Sequence, residues 1–254
     1  ELEELRAAGE ALRPTLALEA RLLPAADDAA VPEGSKKVHF IRHGEGYHNV
    51  AQREWRAKPD WDGKSEPYTL DQDPDGKFTD PLLTTKGEGQ ATDLQARVAA
   101  LNPELLVVSP MRRATQTGLI AFDRHVAEGR LPVLAHELCH ERAGRHTCDR
   151  RLPKSELAKL YPVVDYSLIE SEEDPFWGDG WTREALPTLA ARAAGFMEWL
   201  MARPERSVAV AAHSAILLAV LNAACVCEDA PTRSHFATGE MRSVLVSVEA
   251  KKST

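Results

Sequence analysis

Five short apolar runs, each five or six residues long, recur along the chain between segments with helical patterning. Runs of this length and composition are typical of strands that are buried on both faces of a sheet. Strands that alternate with helices predict an α/β fold with three layers, in which helices flank a mostly parallel central sheet. The predicted strands cover residues 37–41, 105–109, 131–135, 207–212 and 243–248.

The first segment of the chain has a different pattern. Residues 1–23 are predicted to form an amphipathic helix, which Pro14 can divide in two, and residues 24–35 to form a linker. We therefore separate an N-terminal helical extension and linker, residues 1–35, from one domain formed by residues 36–254.

Capping and breaking residues predict the remaining organisation. A long irregular insertion at residues 52–81 is rich in proline and glycine, and long loops in compact domains tend to be functional. Further helices are predicted from Thr84 or Thr85 to Val98, from Pro110 onward, over residues 182–202, and from His213 to about Leu221.

Charge and composition exclude several classes of partner. The net charge is −8, which makes nucleic acid and anionic membranes poor partners. No apolar run approaches the roughly 20 residues that span a bilayer. No signal peptide is visible, although the chain begins at Glu1, so the compartment stays open, with a soluble cytoplasmic or organellar location expected over secretion.

The four cysteines do not form a disulfide scaffold at this chain length. Thiolate and imidazole are suitable zinc ligands, and a cluster of such residues occurs between positions 139 and 148. We interpret the cluster as loop residues of unrelated purpose and expect no metal and no cofactor. Its members are Cys139, His140, His146 and Cys148.

Polar residues follow three of the predicted strands where each strand ends. The first strand leads into Arg42-His43-Gly44, the second into Ser109 and then Arg112-Arg113, and the fourth into His213-Ser214. Ligands of open α/β sheets bind outside the carboxyl ends of the strands, so these segments are expected to meet. Imidazoles, guanidiniums and helix N-termini together make a pocket for an anion such as phosphate.

Four motifs in this order carry a family resemblance. They are RHGE at 42–45, DPLLTTKGEGQA at 80–91, SPMRRATQT at 109–117 and AAHSA at 211–215. Together they resemble the histidine phosphatase superfamily, the phosphoglycerate-mutase-like proteins. CDRR at 148–151 and VVDYSLIESEED at 163–174 further resemble a plant and fungal branch of that superfamily.

The resemblance implies roles for the matching residues. His43 would be the nucleophile that takes the phosphoryl group, while Arg42, Arg113 and His213 would hold the phosphate oxygens and stabilise the transition state. Asn49 would donate a further hydrogen bond. Arg113 lies four residues after Ser109, as in the family, so we prefer it to Arg112 as the phosphate ligand. His39 is interpreted as structural, and contact of His48 with substrate is left open.

A general acid is expected to protonate the leaving group. A carboxyl group near a phosphate in a sheltered pocket can have a raised pKa that suits this task. In ELCHERAG, residues 137–144, the resemblance favours Glu141, which precedes Gly144, and Glu137 is the alternative.

These features predict an enzyme that hydrolyses phosphomonoesters of small organic molecules through a phosphohistidine on His43, without a metal. A phosphoglycerate-type mutase is one alternative, and a phosphate-binding or scaffold module without catalysis is another. Neither the identity of the substrate nor an oligomeric state follows from the sequence.

Overall fold

A computed structural model describes residues 1–16 and 18–250 of the chain. Its strands are β1 (Leu18–Pro24), β2 (Ser35–Arg42), β3 (Leu105–Val108), β4 (Val133–Ala135), β5 (Val164–Asp165), β6 (Ser207–Ala212), β7 (Cys225–Val226) and β8 (Met241–Ala250). Its α-helices are α1 (Leu2–Leu12), α2 (Tyr47–Arg56), α3 (Thr85–Val98), α4 (Arg112–Ala121), α5 (Asp123–Ala127), α6 (Lys154–Leu160), α7 (Leu186–Ala202) and α8 (Ser214–Ala219).

The strands form one sheet in the order β5-β4-β3-β6-β2-β8-β1-β7. From β5 to β2 all neighbours are parallel, whereas β8 runs antiparallel to both β2 and β1. The predicted α/β fold with a mostly parallel central sheet and flanking helices is therefore confirmed.

Alternate residues of the central strands enter two separate hydrophobic clusters. Phe40 and Val210 belong to one cluster, whereas Ile41 and Ala211 belong to the other. Because successive side chains of a strand point to opposite faces, the sheet is buried on both sides. The three predicted layers follow from this arrangement.

The N-terminal prediction is wrong in part. The helix ends at Leu12, and the predicted helical stretch up to residue 23 contains a strand that pairs with β8 on one side and β7 on the other. Ala20 and Leu22 are buried, so the apolar residues alternate with period two here. β1 is thus part of the sheet, while the division at residue 36 stays a prediction.

Several helix boundaries also differ from prediction. The Thr84 hydroxyl accepts a hydrogen bond from the Gly87 N–H (3.1 Å), so its capping role is confirmed. α4 begins at Arg112 rather than at Pro110, and α7 begins at Leu186 rather than at residue 182. Within the described residues, no helix is both long and apolar enough to cross a membrane.

Candidate active site

His43 follows the last residue of β2, and its backbone N–H donates to the Ala212 carbonyl oxygen on the adjacent β6 (3.0 Å). Its Nδ1 lies 2.7 Å from the Gly44 carbonyl oxygen, which can only accept, so Nδ1 carries the ring hydrogen. Nε2 therefore keeps a free electron pair. Burial, reinforced by the nearby Arg113 charge, lowers the pKa of His43 well below its ordinary value and favours the neutral ring.

Gly44 is required for packing. A Cβ on Gly44 would lie 2.4 Å from the Gly87 carbonyl oxygen, and a Cβ on Gly87 would lie 2.1 Å from the Glu45 carbonyl oxygen. The two backbone segments therefore touch directly, at the start of α3. The first turn of α3, which belongs to the motif at 80–91, therefore fixes the backbone next to His43. The sequence did not indicate this packing role of Gly44.

Arg113 lies fully buried on α4 and points at His43. Its Nε is 3.3 Å from Nε2 of His43, and Nη1 and Nη2 donate to the Cys148 carbonyl oxygen (2.7 Å) and to Asp149 (2.9 Å). Arg112 turns elsewhere, because its backbone N–H and its Nε donate to Asp80. The structure thus brings Arg113, and not Arg112, to His43.

His213 is the second imidazole of the site, with its ring centroid 5.1 Å from that of His43. Its Nε2 lies 2.8 Å from the Ser109 hydroxyl, whereas its buried Nδ1 has no hydrogen-bond partner in the described part of the chain. Burial and the Arg113 charge lower the pKa of His213 well below its ordinary value. A buried ring nitrogen without a partner is costly unless a ligand supplies one.

Arg42, Asn49 and His48 complete the cluster around His43. Nη1 of Arg42 donates to the Phe236 carbonyl oxygen (2.6 Å), while its buried Nε lacks a partner among residues 1–16 and 18–250. Asn49 accepts from the Gly46 N–H through Oδ1 (3.0 Å) and lines the cavity of His43. His48, left open above, is buried with its ring 5.5 Å from that of His43.

The two candidate acids are separated by the fold. Oε1 of Glu141 accepts from the backbone N–H groups of Arg142 (2.8 Å) and Ala215 (3.1 Å), which places the carboxylate at the start of α8, the helix that follows His213. Glu137 forms a bidentate pair with the buried Arg151 at 2.9 and 3.0 Å. Only Glu141 of the two lines the same cavity as His43.

That cavity has a volume of about 280 Å³ and collects all the predicted site residues except His213, whose neighbours Ser214 and Ala215 line it. A larger cavity of about 470 Å³ lies between α3 and α5 and contains none of them. The smaller cavity is the functional candidate because it is lined by five of the six predicted site residues and by His48, and the Nε of Arg42 and the Nδ1 of His48 are buried without a partner among the described residues. Its further lining includes Gln52, Tyr68, His146, Asp149 and Arg183.

Asp149 and Arg183 were not predicted as site residues. Oδ1 of Asp149 accepts from Arg113 (2.9 Å) and Oδ2 accepts from Nη1 of Arg183 (2.8 Å), so the carboxylate bridges two guanidiniums. Burial opposes its ionisation, but the Arg183 charge and its other partners hold the pKa of Asp149 well below its ordinary value. The CDRR segment gave a signal for Asp149, whereas nothing near Arg183 indicated a site.

The cysteines and histidines between positions 139 and 148, which are not predicted to form a metal site, are split by the fold. Ligand atoms of His146, Cys148 and Asp149 lie within 4.8 Å of one another, whereas Cys139 and His140 are outside this group. Burial raises the pKa of the Cys148 thiol well above its ordinary value, and Asp149 already binds two guanidiniums. Both facts disfavour a cation at this group, because a metal requires thiolate and a free carboxylate.

Comparison with known proteins gives consistent results. The family described as "Histidine phosphatase superfamily (branch 1)" matches residues 71–249. A "Phosphoglycerate mutase-like protein" of Arabidopsis thaliana is 32% identical over 243 aligned positions, covering 83% of this chain and 84% of that protein. A Schizosaccharomyces pombe protein named a probable phosphatase is 29% identical over 182 positions, covering 70% of this chain and 74% of that protein.

A solved structure is similar in fold. The alpha-ribazole phosphatase of Shigella flexneri overlays with a TM-score of 0.51 at 16% identity, covering 82% of this chain and 89% of that chain. The resemblance that the four motifs carry, including its plant and fungal branch, is confirmed by these relatives.

Proposed function

Because the chain belongs to the histidine phosphatase superfamily, branch 1, we propose that it hydrolyses phosphomonoesters of small organic molecules through a phosphohistidine on His43. The observation that carries the proposal is the state of the His43 ring. Its Nδ1–H is bound by the Gly44 carbonyl oxygen, and its Nε2 electron pair faces the Arg113 guanidinium in the cavity. A neutral imidazole in this state is a nucleophile that needs no separate base.

The charge of the transferring group is stabilised by donors that already surround His43. In the proposal, Arg42 and Arg113 bind the phosphate oxygens, since both line the cavity and Nε of Arg113 lies 3.3 Å from Nε2 of His43. In the proposed tautomer the Ser109 hydroxyl, 2.8 Å from Nε2 of His213, donates to that nitrogen, and Nδ1–H of the ring serves as a further donor to the phosphate. Fixed donors of this kind usually contribute the largest part of catalysis in phosphoryl transfer.

Glu141 acts as the general acid in this mechanism. Its Oε1 accepts from backbone N–H groups, while Oε2 accepts a single hydrogen bond from the described residues, from the Ala215 N–H at 3.3 Å. Oε2 is therefore the oxygen that carries the proton. In the first step Nε2 of His43 bonds to phosphorus, the ester P–O bond breaks, and Glu141 protonates the departing alkoxide to release an alcohol.

Water completes the reaction. The Glu141 carboxylate takes a proton from water, the water oxygen bonds to phosphorus, and the N–P bond breaks with its electrons returning to Nε2 of His43. Inorganic phosphate leaves, and both residues return to their starting states. No step uses a metal, because Arg42, Arg113 and His213 supply the charge stabilisation.

Hydrolysis is preferred to a mutase reaction on two grounds. The segment after Glu141, RAGRHTCDRR, differs from the substrate segment of the mutases that the motifs resemble. One curated relative is named a probable phosphatase, although others carry mutase-like names. A phosphate-binding module without catalysis has no need of the buried Nε2 electron pair of His43.

A screen of phosphorylated metabolites, with wild type and His43→Ala side by side, tests the proposal. We expect phosphate release from at least one small phosphomonoester by wild type only. Conversion of a monophosphoglycerate to its isomer, dependent on a bisphosphate and without net phosphate release, would show a mutase instead. Release at the wild-type rate by His43→Ala would exclude the proposed nucleophile.

A further inference from the structure

His140, the residue before the proposed acid, has an unusual hydrogen-bond pattern. Its Nδ1 lies 2.8 Å from the Glu141 carbonyl oxygen, and its Nε2 lies 3.0 Å from Oδ2 of Asp174. A carbonyl oxygen and a carboxylate oxygen only accept, so both ring nitrogens must donate. Only the doubly protonated imidazolium has two N–H groups.

Asp174 is held as a carboxylate on the other side of the ring. Its Oδ2 also accepts from the Arg151 N–H (2.9 Å), and its Oδ1 accepts from the Phe176 N–H (2.9 Å). Burial opposes ionisation, but the His140 charge and these donors lower the pKa of Asp174 to about 2. The side chains of His140 and Asp174 are 0% and 1% exposed, so solvent does not screen the pair.

His213, at the start of α8, interacts electrostatically with His140, and the other groups that face His140 come from α7 and the segment before it. Arg192 donates to the backbone oxygens of His140 (2.5 Å) and Glu141 (2.9 Å), and its own charge is balanced by Glu184 (2.7 Å). Burial and Arg192 oppose a charge on the ring, but the Asp174 carboxylate outweighs both and raises the pKa of His140. The Phe176 ring covers the imidazole, with centroids 5.7 Å apart.

We propose that His140, kept charged by Asp174, is a positioning residue that fixes the general acid Glu141. Its Nδ1–H and the Arg192 guanidinium hold the Glu141 carbonyl oxygen, while the N–H groups of Arg142 and Ala215 hold the carboxylate. Hydrogen bonds therefore hold both the backbone and the carboxylate of Glu141. This inference rests on the role proposed for Glu141, and it adds the device that orients it.

The arrangement predicts a pH effect of definite sign. The raised pKa of His140 means that the imidazolium persists above the pH at which free histidine loses its proton and is lost as the pH rises through that pKa. Loss of the proton from Nδ1 removes a donor from the Glu141 carbonyl oxygen. Hydrolysis that depends on the acid should then decline at alkaline pH.

Two substitutions of His140 separate its two donors. The amide nitrogen of asparagine can take the place of Nδ1 toward Glu141, whereas that of glutamine can take the place of Nε2 toward Asp174. Turnover of an alkyl phosphate and of p-nitrophenyl phosphate is compared, because the aryl leaving group needs little protonation. We expect His140→Gln to lose about 10-fold or more on the alkyl substrate only, as acid catalysis is typically worth 10²–10⁴-fold, and His140→Asn to retain most of it.

The variant Asp174→Asn provides a second test of the role of His140. Without the carboxylate the pKa of His140 must fall, so the alkaline decline of alkyl phosphate hydrolysis should move to lower pH in this variant. Nitrogen-15 NMR of the histidine rings should show two protonated nitrogens for His140 at pH 7 in wild type, with the resonance assigned by its absence from His140→Gln. A ring with a single N–H at pH 7 in wild type would overturn the inference.

Failure of this inference is distinct from failure of the proposed acid. If Glu141→Gln shows a loss that depends on the leaving group but His140→Gln slows both substrates equally, His140 is merely structural and the inference is wrong. If Glu141→Gln itself shows no such dependence, the proposed role of Glu141 fails first. A folded His140→Asn variant with activity as low as that of His140→Gln would also contradict the inference.

Discussion

The carboxylate of Asp149 accepts a hydrogen bond from Nη2 of Arg113 at 2.9 Å, deep in the protein. The same guanidinium presents its Nε to Nε2 of His43 at 3.3 Å, so the position of Asp149 sets the direction of Arg113. Nη1 of Arg183 binds the other oxygen of the same carboxylate at 2.8 Å. A buried charge that would otherwise be costly is in this way balanced between the two arginines.

Asp149→Asn should impair phosphate binding and turnover more than it impairs folding. The amide removes the negative charge between Arg113 and Arg183, which lets both guanidiniums shift. Misplacement of a binding group by about 1 Å can cost on the order of 10²-fold in rate. Steady-state kinetics and inhibition by inorganic phosphate measure the effect, and a folded variant with unchanged kcat and phosphate affinity would contradict it.

Glu141→Gln should slow hydrolysis of alkyl phosphates by roughly 10²–10⁴-fold, the usual range for general acid catalysis. It should affect p-nitrophenyl phosphate much less, since that leaving group needs little protonation. Parallel kinetics with the two substrates measure the difference. An equal loss on both would indicate damage to the cavity instead of loss of an acid.

Glu137→Gln is the matched control for this comparison. Glu137 pairs with the buried Arg151 outside the cavity, so removing its charge should lower the free energy of unfolding by about 3 kcal/mol, the low end for a buried pair that loses one partner. Its residual activity should show no dependence on the leaving group. If Glu137→Gln shows the loss that depends on the leaving group and Glu141→Gln does not, Glu137 is the general acid.

Chelation should leave activity unchanged. Arg113 already places a donor 3.3 Å from Nε2 of His43, and Asp149 is occupied by guanidiniums. Activity is measured before and after dialysis against EDTA. A loss that added zinc or magnesium restores would contradict the proposed mechanism.

His43 should remain neutral at pH values where free histidine is already protonated. Burial and the Arg113 charge lower its pKa, so the ring takes up a proton only when the pH falls well below 6.5. NMR titration of the His43 ring, with free histidine in the same sample as reference, measures this directly. Titration of His43 together with the free amino acid would show that the burial argument is wrong.

The central strands and the residues that follow them were predictable for a physical reason. β3 is wholly apolar, β6 is apolar after its first residue, and the second half of β2 is apolar except for His39 and Arg42, so all three strands, buried on both faces, were easily recognised. Parallel strands also bring their carboxyl ends to one edge, which is why His43, Arg113 and His213 meet there. The order of these strands in the sheet was not needed for that inference.

Other parts of the fold and site lacked a local signal. β5 and β7 are two residues long, too short for a period to appear. β1 was mistaken for helix because its apolar residues continue those of α1, and its pairing with β8 and β7 is what defines it as a strand. Arg183 lies in the long loop before α7, and the path of this loop brings its side chain to Asp149 in the cavity. No local pattern of the sequence indicates that path.

The most direct test of the account is the identification of the phosphorylated residue during turnover. Wild-type protein is mixed with a substrate, quenched on the timescale of turnover under conditions that preserve phosphohistidine, and digested for mass spectrometry. The account predicts a phosphoryl group on Nε2 of His43 that forms and decays as fast as product appears. Turnover without any phosphorylated His43, or a kinetically competent phosphoryl group on another residue, would contradict it.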